Sequence, residues 1–187
     1  MTCGDLDMIR KVREEADCLA DEQAVEAALA RMAEAMEKRL ALHNPLVYVV
    51  MQGGLMLAGR LLPRLSFLLE LGYLHASRYG ASIQGQSTLT WHAPPSVSPE
   101  GRTVLLLDDI LDEGHTLSAL QQRMQDEGAA VVLTAVLVDK QHARKVYPGM
   151  RADFTGLEIE DRFLFGCGMD YMGYWRNLPG IYAVKGM

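Results

Sequence analysis

The sequence has few cysteines, few aromatic side chains and no apolar run long enough to cross a bilayer. The three cysteines, Cys3, Cys18 and Cys167, are odd in number and lack the spacing of zinc ligands, so neither a disulfide framework nor a zinc site is expected. The first residues mix acids and bases without an apolar stretch, so a signal peptide is not expected either. These absences predict reduced thiols and a cytoplasmic location.

Positive charge is also scarce. The 18 Lys and Arg residues are outnumbered by 24 Asp and Glu residues, which gives a net charge of −6 and a pI near 5.3. A protein of this balance, without a cluster of Lys or Arg, has no general attraction for nucleic acid or an anionic membrane. Any anionic ligand must therefore be held by local groups.

Hydrophobic residues make up 49% of the 187 residues, enough for one domain over residues 1–187 with a sizeable core. The apolar residues of segment 21–42 recur at helical spacing, with acids early and bases late, which predicts a helix. Apolar runs at 46–51, 69–77, 103–107 and 130–138 predict strands, and helical patterns at 55–62 and 116–127 lie between them. Strands that are apolar throughout and alternate with helices predict an α/β fold, with a mainly parallel sheet covered on both faces.

The stretch VLLLDDILDEGHTL, residues 104–117, carries the strongest functional signal. It places Asp108, Asp109 and Asp112 at the carboxyl end of a buried strand, where ligands bind in open parallel sheets. Gly114 and Thr116 then open a helix whose N-terminus can hold a phosphate. Because carboxylates and phosphate repel each other, the pattern predicts a ligand that also offers hydroxyls and a bound Mg²⁺ ion.

This stretch resembles the 5-phosphoribosyl-1-diphosphate loop of the type I phosphoribosyltransferases, and specifically of the hypoxanthine-guanine phosphoribosyltransferase family. The resemblance extends from Leu46 to the C-terminal end in the same order. It implies the type I phosphoribosyltransferase fold, with N-terminal helices in residues 1–44 and a small hood formed by N- and C-terminal segments. It also implies a mobile lid loop at residues 77–101 and a base-binding segment at residues 153–187.

The resemblance assigns roles residue by residue. Asp112 is implied to be the catalytic base near purine N7, a role that a carboxylate facing the ring can perform. The implied ligands of phosphoribosyl diphosphate are Gln52, Gly53, Asp108, Asp109, Asp112, Glu113, Gly114, His115, Thr116 and Arg176.

Purine, metal and lid residues are implied in the same way. Lys140 would donate to the 6-oxo group, Phe163 would stack on the base, and the backbone of Leu164 would meet its edge. Asp108, Asp109 and Asp170 are the implied metal ligands, Arg144 falls at a family arginine, and the lid residues would be Ser77, Arg78 and Tyr79.

Four positions depart from the family pattern, one of them Arg78, which with Tyr79 stands where the family has Ser-Tyr. Gln52 stands where the family has Lys or Arg, and Arg78 is a candidate replacement for that cation. Glu113 replaces Ser or Thr and adds a negative charge near the phosphate, which weakens binding unless its side chain turns outward. His115 replaces Lys or Asn, at a position that also contributes backbone.

The implied function is purine salvage by Mg²⁺-dependent transfer of a phosphoribosyl group to N9 of hypoxanthine, guanine or xanthine, in a homodimer or homotetramer. A regulator on the same fold that binds phosphoribosyl diphosphate or nucleic acid without catalysis is the alternative. The absence of a basic cluster and the presence of Asp112 and Lys140 argue against it. DDILD also matches the DDxxD motif of isoprenoid synthases, but those proteins are all-helical.

Overall fold

Within residues 3–78 and 89–187, which the computed structural model describes, helices and strands alternate for most of the chain. The helices are α1 (Cys3–Glu15), α2 (Glu22–Leu40), α3 (Gly54–Leu61) and α4 (His115–Asp126), with a 3-10 turn at Leu62–Arg64. The strands are β1 (Asp17–Ala20), β2 (Leu46–Val50), β3 (Glu70–Arg78), β4 (Leu89–Ala93), β5 (Thr103–Leu111), β6 (Val131–Gln141), β7 (Phe154–Glu160), β8 (Leu164–Phe165) and β9 (Ile181–Ala183). Among these residues, no helix is both long and apolar enough to cross a membrane.

The main sheet has six strands in the order β4-β3-β2-β5-β6-β7. All pairings are parallel except that of β3 with the edge strand β4. Helices α2 and α3 cover one face and α4 covers the other, so the central strands are buried on both sides. This confirms the predicted α/β architecture with a mainly parallel sheet flanked by helices.

Helix α2 forms where the spacing of its apolar residues predicts it. The Asp21 side chain caps the helix by accepting a 2.8 Å hydrogen bond from the Ala24 N–H. Val25, Leu29, Met32 and Met36 are buried against the sheet. The capped start and the apolar face together fix this helix over the sheet.

Strand β5 is longer than the strand predicted from the apolar run at residues 103–107. It continues to Leu111, because its parallel pairing with β6 persists as far as the pair Leu111 and Asp139. Asp108 and Asp109 therefore lie inside the last part of a strand, and the prediction that they follow it was wrong. The partner β6 also extends, to Gln141, which places Lys140 within the strand.

A second sheet joins distant parts of the chain. Its order is β1-β9-β8, and both pairings are antiparallel. Strand β1 lies between α1 and α2, so residues 1–44 contain a short strand besides the predicted helices. Strand β9 lies between the other two, so this sheet joins the N-terminal region to the C-terminal segment predicted to bind the base.

The segment predicted as a lid, residues 77–101, is described only in part. Ser77 and Arg78 end β3, and residues 89–93 form β4, while Tyr79 lies outside the described residues. The part after β4 is tied to the sheet, since Tyr48 donates its hydroxyl to the Val97 carbonyl and the Ser96 hydroxyl accepts from the Tyr73 N–H.

Candidate active site

A cavity of about 570 Å³ opens at the carboxyl ends of β2, β5 and β6. Every predicted site residue outside the lid lines it: Gln52, Gly53, Asp108, Asp109, Asp112, Glu113, Gly114, His115, Thr116, Lys140, Phe163, Leu164, Asp170 and Arg176. His75 and Ala76, from the end of β3, also line the cavity and were not predicted. The fold thus brings together residues from widely separated segments at one edge of the sheet.

The loop from Asp112 to Thr116 leads directly into α4. Gly114 precedes the helix with a left-handed φ of 85°, and a side chain there would collide with Leu111 and Met150. The first N–H groups of a helix have no partner within the helix. This turn therefore offers backbone donors and the positive end of the α4 dipole to an anion.

Asp108 and Asp109 form an electrostatically unfavourable pair in the cavity wall. Burial, and then repulsion from Asp109, raise the pKa of Asp108 well above its ordinary value. Burial also raises the pKa of Asp109, although Asp108 and the Arg176 guanidinium, 3.9 Å away, partly offset this rise. A cation or a set of hydroxyl donors in the cavity would stabilise the charged form of both.

The loop after β2 closes over Asp109. The peptide bond between Met51 and Gln52 is cis, and Gly53 and Gly54 are buried. A side chain at Gly53 would collide with the Asp109 carboxylate, so this position requires glycine for close approach. The backbone of this loop is consequently held against the acidic pair.

Asp112 and Lys140 meet at the cavity wall. The Lys140 ammonium donates a 2.8 Å hydrogen bond to Asp112 Oδ2, although the two residues belong to different strand ends. Burial raises the pKa of Asp112, but hydrogen bonds from Lys140 and His142, together with the charge of Lys140, outweigh burial and keep the pKa below its ordinary value. Asp112 is therefore a carboxylate at neutral pH and can accept a proton.

The sequence did not reveal that His142 contacts Asp112. His142 Nε2 lies 2.6 Å from Asp112 Oδ1, so each oxygen of that carboxylate has a partner. The two residues are 30 positions apart in the chain. No local motif links them, and the pairing of β5 with β6 brings the two segments together.

The departure at Glu113 is partly compensated by its neighbours. Its carboxylate lies 3.8 Å from Arg144 Nε and 3.6 Å from His115 Nε2. Arg144 also makes two hydrogen bonds to Asp161, at 2.6 and 3.0 Å, which with its charge lower the pKa of Asp161 to about 2. Arg144 is thus engaged by two acids, Glu113 and Asp161.

The opposite wall is apolar. Phe163 is 46% exposed and meets Tyr171 edge to face, with ring centroids 5.7 Å apart. Leu164 is buried and belongs to β8. An exposed aromatic ring at a cavity mouth can stack on a flat ligand.

Arg176 and Asp170 form the remaining polar wall. Arg176 donates to Asp170 Oδ1 and to the Gly168 carbonyl, both at 2.5 Å. Asp170 also accepts a 2.6 Å hydrogen bond from the Gly173 N–H. Asp170 is therefore occupied by protein donors, and Arg176 is held next to Asp109.

A buried charge network lies beneath the loop. Asp139 is fully buried and binds Lys145 Nζ at 2.6 Å and Arg151 at 2.9 Å. Lys145 also donates a 2.9 Å hydrogen bond to the Leu111 carbonyl. These contacts join the end of β6 to the residue before Asp112.

Comparison with known proteins agrees with this geometry. The family model of the phosphoribosyl transferase domain matches residues 15–172. The chain therefore belongs to the phosphoribosyltransferase family.

Two related sequences show which group of phosphoribosyltransferases the chain belongs to. A hypoxanthine-guanine phosphoribosyltransferase of Aquifex aeolicus is 30% identical over 168 residues, which cover 89% of this chain and 93% of the relative. A hypoxanthine-guanine phosphoribosyltransferase of Bacillus subtilis is 34% identical over 141 residues, covering 75% of this chain and 77% of the relative. Within the phosphoribosyltransferases, the chain belongs to the hypoxanthine-guanine phosphoribosyltransferase family.

Solved structures support the same assignment. A hypoxanthine-guanine-xanthine phosphoribosyltransferase superposes with a TM-score of 0.81 at 28% identity, covering 90% of this chain and 96% of that one. A hypoxanthine-guanine phosphoribosyltransferase of Bacillus anthracis superposes with a TM-score of 0.82 at 26% identity, covering 90% and 98% of the two chains. The predicted type I phosphoribosyltransferase fold is thereby confirmed.

Proposed function

We propose that this protein transfers the 5-phosphoribosyl group of phosphoribosyl diphosphate to N9 of a 6-oxopurine, with Mg²⁺, in purine salvage. The products are pyrophosphate and IMP or GMP, and xanthine is a further candidate base. The single observation that carries the proposal is the pairing of Asp112 with Lys140 in a cavity between an anion-binding loop and Phe163. One wall suits a phosphate and the other suits a flat ring.

The sugar phosphate is held by the strand-loop-helix part of the site. The N–H groups at the start of α4 bind the 5-phosphate, and the helix dipole favours its charge. Asp108 and Asp109 contact the ribose hydroxyls, either by accepting their hydrogen bonds or through a shared Mg²⁺ ion. Arg176 lines the same cavity as Gln52 and would supply the positive charge near the pyrophosphate that Gln52 lacks.

The purine is placed by Lys140, Phe163 and Leu164. Lys140 donates to the 6-oxo group, while Phe163 stacks on the ring. As N9 attacks the anomeric carbon and the bond to pyrophosphate breaks, the ring loses the proton on N7. Asp112 accepts that proton, because it is ionised and lies beside Lys140.

The donor chemistry of the site suits Mg²⁺. Asp108 and Asp109 offer hard carboxylate oxygens, and among the described residues no group of three or more His, Cys, Asp or Glu side chains could hold a metal. Mg²⁺ commonly uses one or two carboxylates and completes its shell with substrate phosphate and water. Bound Mg²⁺ would neutralise the charge on the departing pyrophosphate.

The predicted metal ligand Asp170 is a weaker candidate than the acidic pair. Its carboxylate already accepts from Arg176 and from the Gly173 N–H. A second ion there would compete with the Arg176 guanidinium. We therefore propose Asp108 and Asp109 as the principal metal ligands.

We also propose a homodimer or homotetramer in the cytoplasm. Leu71 and Tyr73 lie on one face of β3 and remain 57% and 50% exposed, which is unusual for a strand next to the sheet centre. A cytoplasmic location agrees with the free thiols of Cys18 and Cys167. Sedimentation velocity at several protein concentrations tests the assembly, and a monomer throughout would contradict it.

The reaction itself is tested by supplying the purified protein with Mg²⁺, phosphoribosyl diphosphate and one base at a time. The bases are hypoxanthine, guanine, xanthine, adenine and uracil, and nucleotide formation is followed by chromatography. We expect turnover with one or more 6-oxopurines. Binding of phosphoribosyl diphosphate without turnover of any base would refute the proposed catalysis.

A further inference from the structure

The His142 side chain is buried behind the proposed base, Asp112. The side chain is only 3% exposed, and it does not line the cavity that Asp112 and Lys140 line. A substrate in the cavity would therefore meet Asp112 and Lys140 but not His142. Any effect of His142 on the reaction must pass through another residue.

Both ring nitrogens of His142 are in use, which fixes the position of the proton. Nδ1 accepts a 3.1 Å hydrogen bond from the backbone N–H of Arg144, so Nδ1 carries no hydrogen. The proton of the neutral ring is then on Nε2, which donates to Asp112 Oδ1 at 2.6 Å. The backbone thus orients His142 as a donor toward the carboxylate.

The segment that carries His142 is attached to the loop on both sides of Asp112. Lys145 Nζ donates to the Leu111 carbonyl at 2.9 Å, and the Val146 N–H donates to the Glu113 carbonyl at 2.7 Å. These bonds hold the backbone before and after Asp112 at a fixed distance from His142. The contact with Asp112 is therefore part of a built arrangement and does not depend on one flexible side chain.

We propose that His142 is a positioning residue that holds the Asp112 carboxylate in the orientation from which it takes the purine proton. Asp112 is 44% exposed, so its carboxylate would otherwise be free to turn about its side-chain bonds. Lys140 holds one oxygen, but Lys140 is also the proposed donor to the purine. His142 Nε2 contacts only the carboxylate and keeps it in place while Lys140 engages the base. This inference rests on the proposed function.

Two variants distinguish the hydrogen bond that His142 Nε2 donates to Asp112 from the one that Nδ1 accepts from Arg144. His142→Gln places an amide N–H where Nε2 lies and can still donate to Asp112, but it offers nothing at the Nδ1 position. His142→Asn has the reverse pattern, since its carbonyl can replace Nδ1 for the Arg144 N–H while the donor to Asp112 is lost. We expect kcat with the preferred purine to fall about tenfold or more in His142→Asn, the low end for losing a hydrogen bond to a charged group. His142→Gln should retain most of the wild-type kcat.

The protonation of Asp112 gives a readout that does not need turnover. With ¹³C-labelled aspartate, the carboxyl signal of Asp112 is assigned by its absence in Asp112→Asn and is then followed across pH. The pKa of Asp112 should rise in His142→Asn, because a donor that stabilises the carboxylate is lost, and stay near the wild-type value in His142→Gln. Apart from residue 142, both variants keep the same charged or titratable groups around Asp112. These groups are Lys140, Glu113, Arg144 and Asp161.

The outcomes are distinct. If kcat and the pKa of Asp112 follow the order expected for the donor, the inference stands. If kcat falls in His142→Gln as much as in His142→Asn, or more, His142 serves only the backbone of Arg144. The inference is then refuted. Thermal unfolding of both variants identifies a general loss of stability. A wild-type protein that forms no nucleotide would refute the proposed function, while the titration would still decide whether His142 acts on Asp112.

Discussion

Removing the negative charge of Asp139 should destabilise the protein severely, although Asp139 touches no proposed substrate. The change Asp139→Asn keeps the shape of the side chain. It leaves the Lys145 ammonium, which is 9% exposed and 2.6 Å from the carboxylate, without its counter-ion. A buried charge that loses its partner is unfavourable because neither water nor an opposite charge compensates it.

The size of the effect follows from the burial of this pair. Breaking a buried ion pair costs roughly 3–5 kcal/mol of unfolding free energy. We expect about 3 kcal/mol, the low end of that range, because Lys145 keeps its hydrogen bond to the Leu111 carbonyl. At roughly 2–4 °C per kcal/mol for a domain of this size, Tm should fall by about 6–12 °C.

Urea denaturation and calorimetry at pH 7 measure this loss. Arg151→Gln is the matched control, since it removes the half-exposed partner of Asp139 and leaves the pair with Lys145 intact. Arg151→Gln should lower the free energy of unfolding much less than Asp139→Asn does. The double variant Asp139→Asn, Lys145→Met removes both buried charges and should recover part of the loss. A loss below about 1 kcal/mol in Asp139→Asn would refute the argument that this pair is a buried charge in need of its partner.

Three further predictions concern the proposed reaction. Asp112→Asn should lower kcat about 10²-fold or more, the low end for a lost general base, and wild-type turnover in this variant would assign the base elsewhere. Lys140→Ala should impair the use of 6-oxopurines selectively, because Lys140 is the proposed donor to the 6-oxo group. Competition assays with adenine provide the comparison. An equal effect on adenine would contradict the assignment. Chelation of divalent ions with EDTA should stop turnover and excess Mg²⁺ should restore it, whereas full activity in EDTA would exclude the proposed metal at Asp108 and Asp109.

The fold was predictable where a strand is buried on both faces, because such a strand appears in the sequence as a continuous apolar run. Strand β2 is buried at every position and reads as a continuous apolar run, which is typical of a central parallel strand. The end of β5 was missed because Asp108 and Asp109 interrupt its apolar run, although their backbone continues to pair with β6. Strand β1 was missed because it is short and its partner β9 lies near the other end of the chain.

The site was predictable to the extent that it follows the edge of the sheet. Asp112 and Lys140 come from the ends of neighbouring strands, so the rule that ligands bind at carboxyl ends anticipates their approach. His142 had no such signal, because a buried histidine that contacts a residue 30 positions away leaves no pattern in the sequence. The engagement of Asp170 by Arg176 depends on a turn at residues 170–173 that spacing alone does not define.

The second sheet has a consequence for how the site is completed during synthesis on the ribosome. The loop proposed to hold the phosphate lies between β5 and α4, and these elements and the neighbouring β6 are complete by residue 141. Phe163 and Leu164 instead depend on β8, whose hydrogen-bonded neighbour in the sheet is β9 at residues 181–183. Strand β9 also pairs with β1, one of the first elements to be made. A nascent chain can therefore form the proposed 5-phosphate loop before the proposed wall for the base exists.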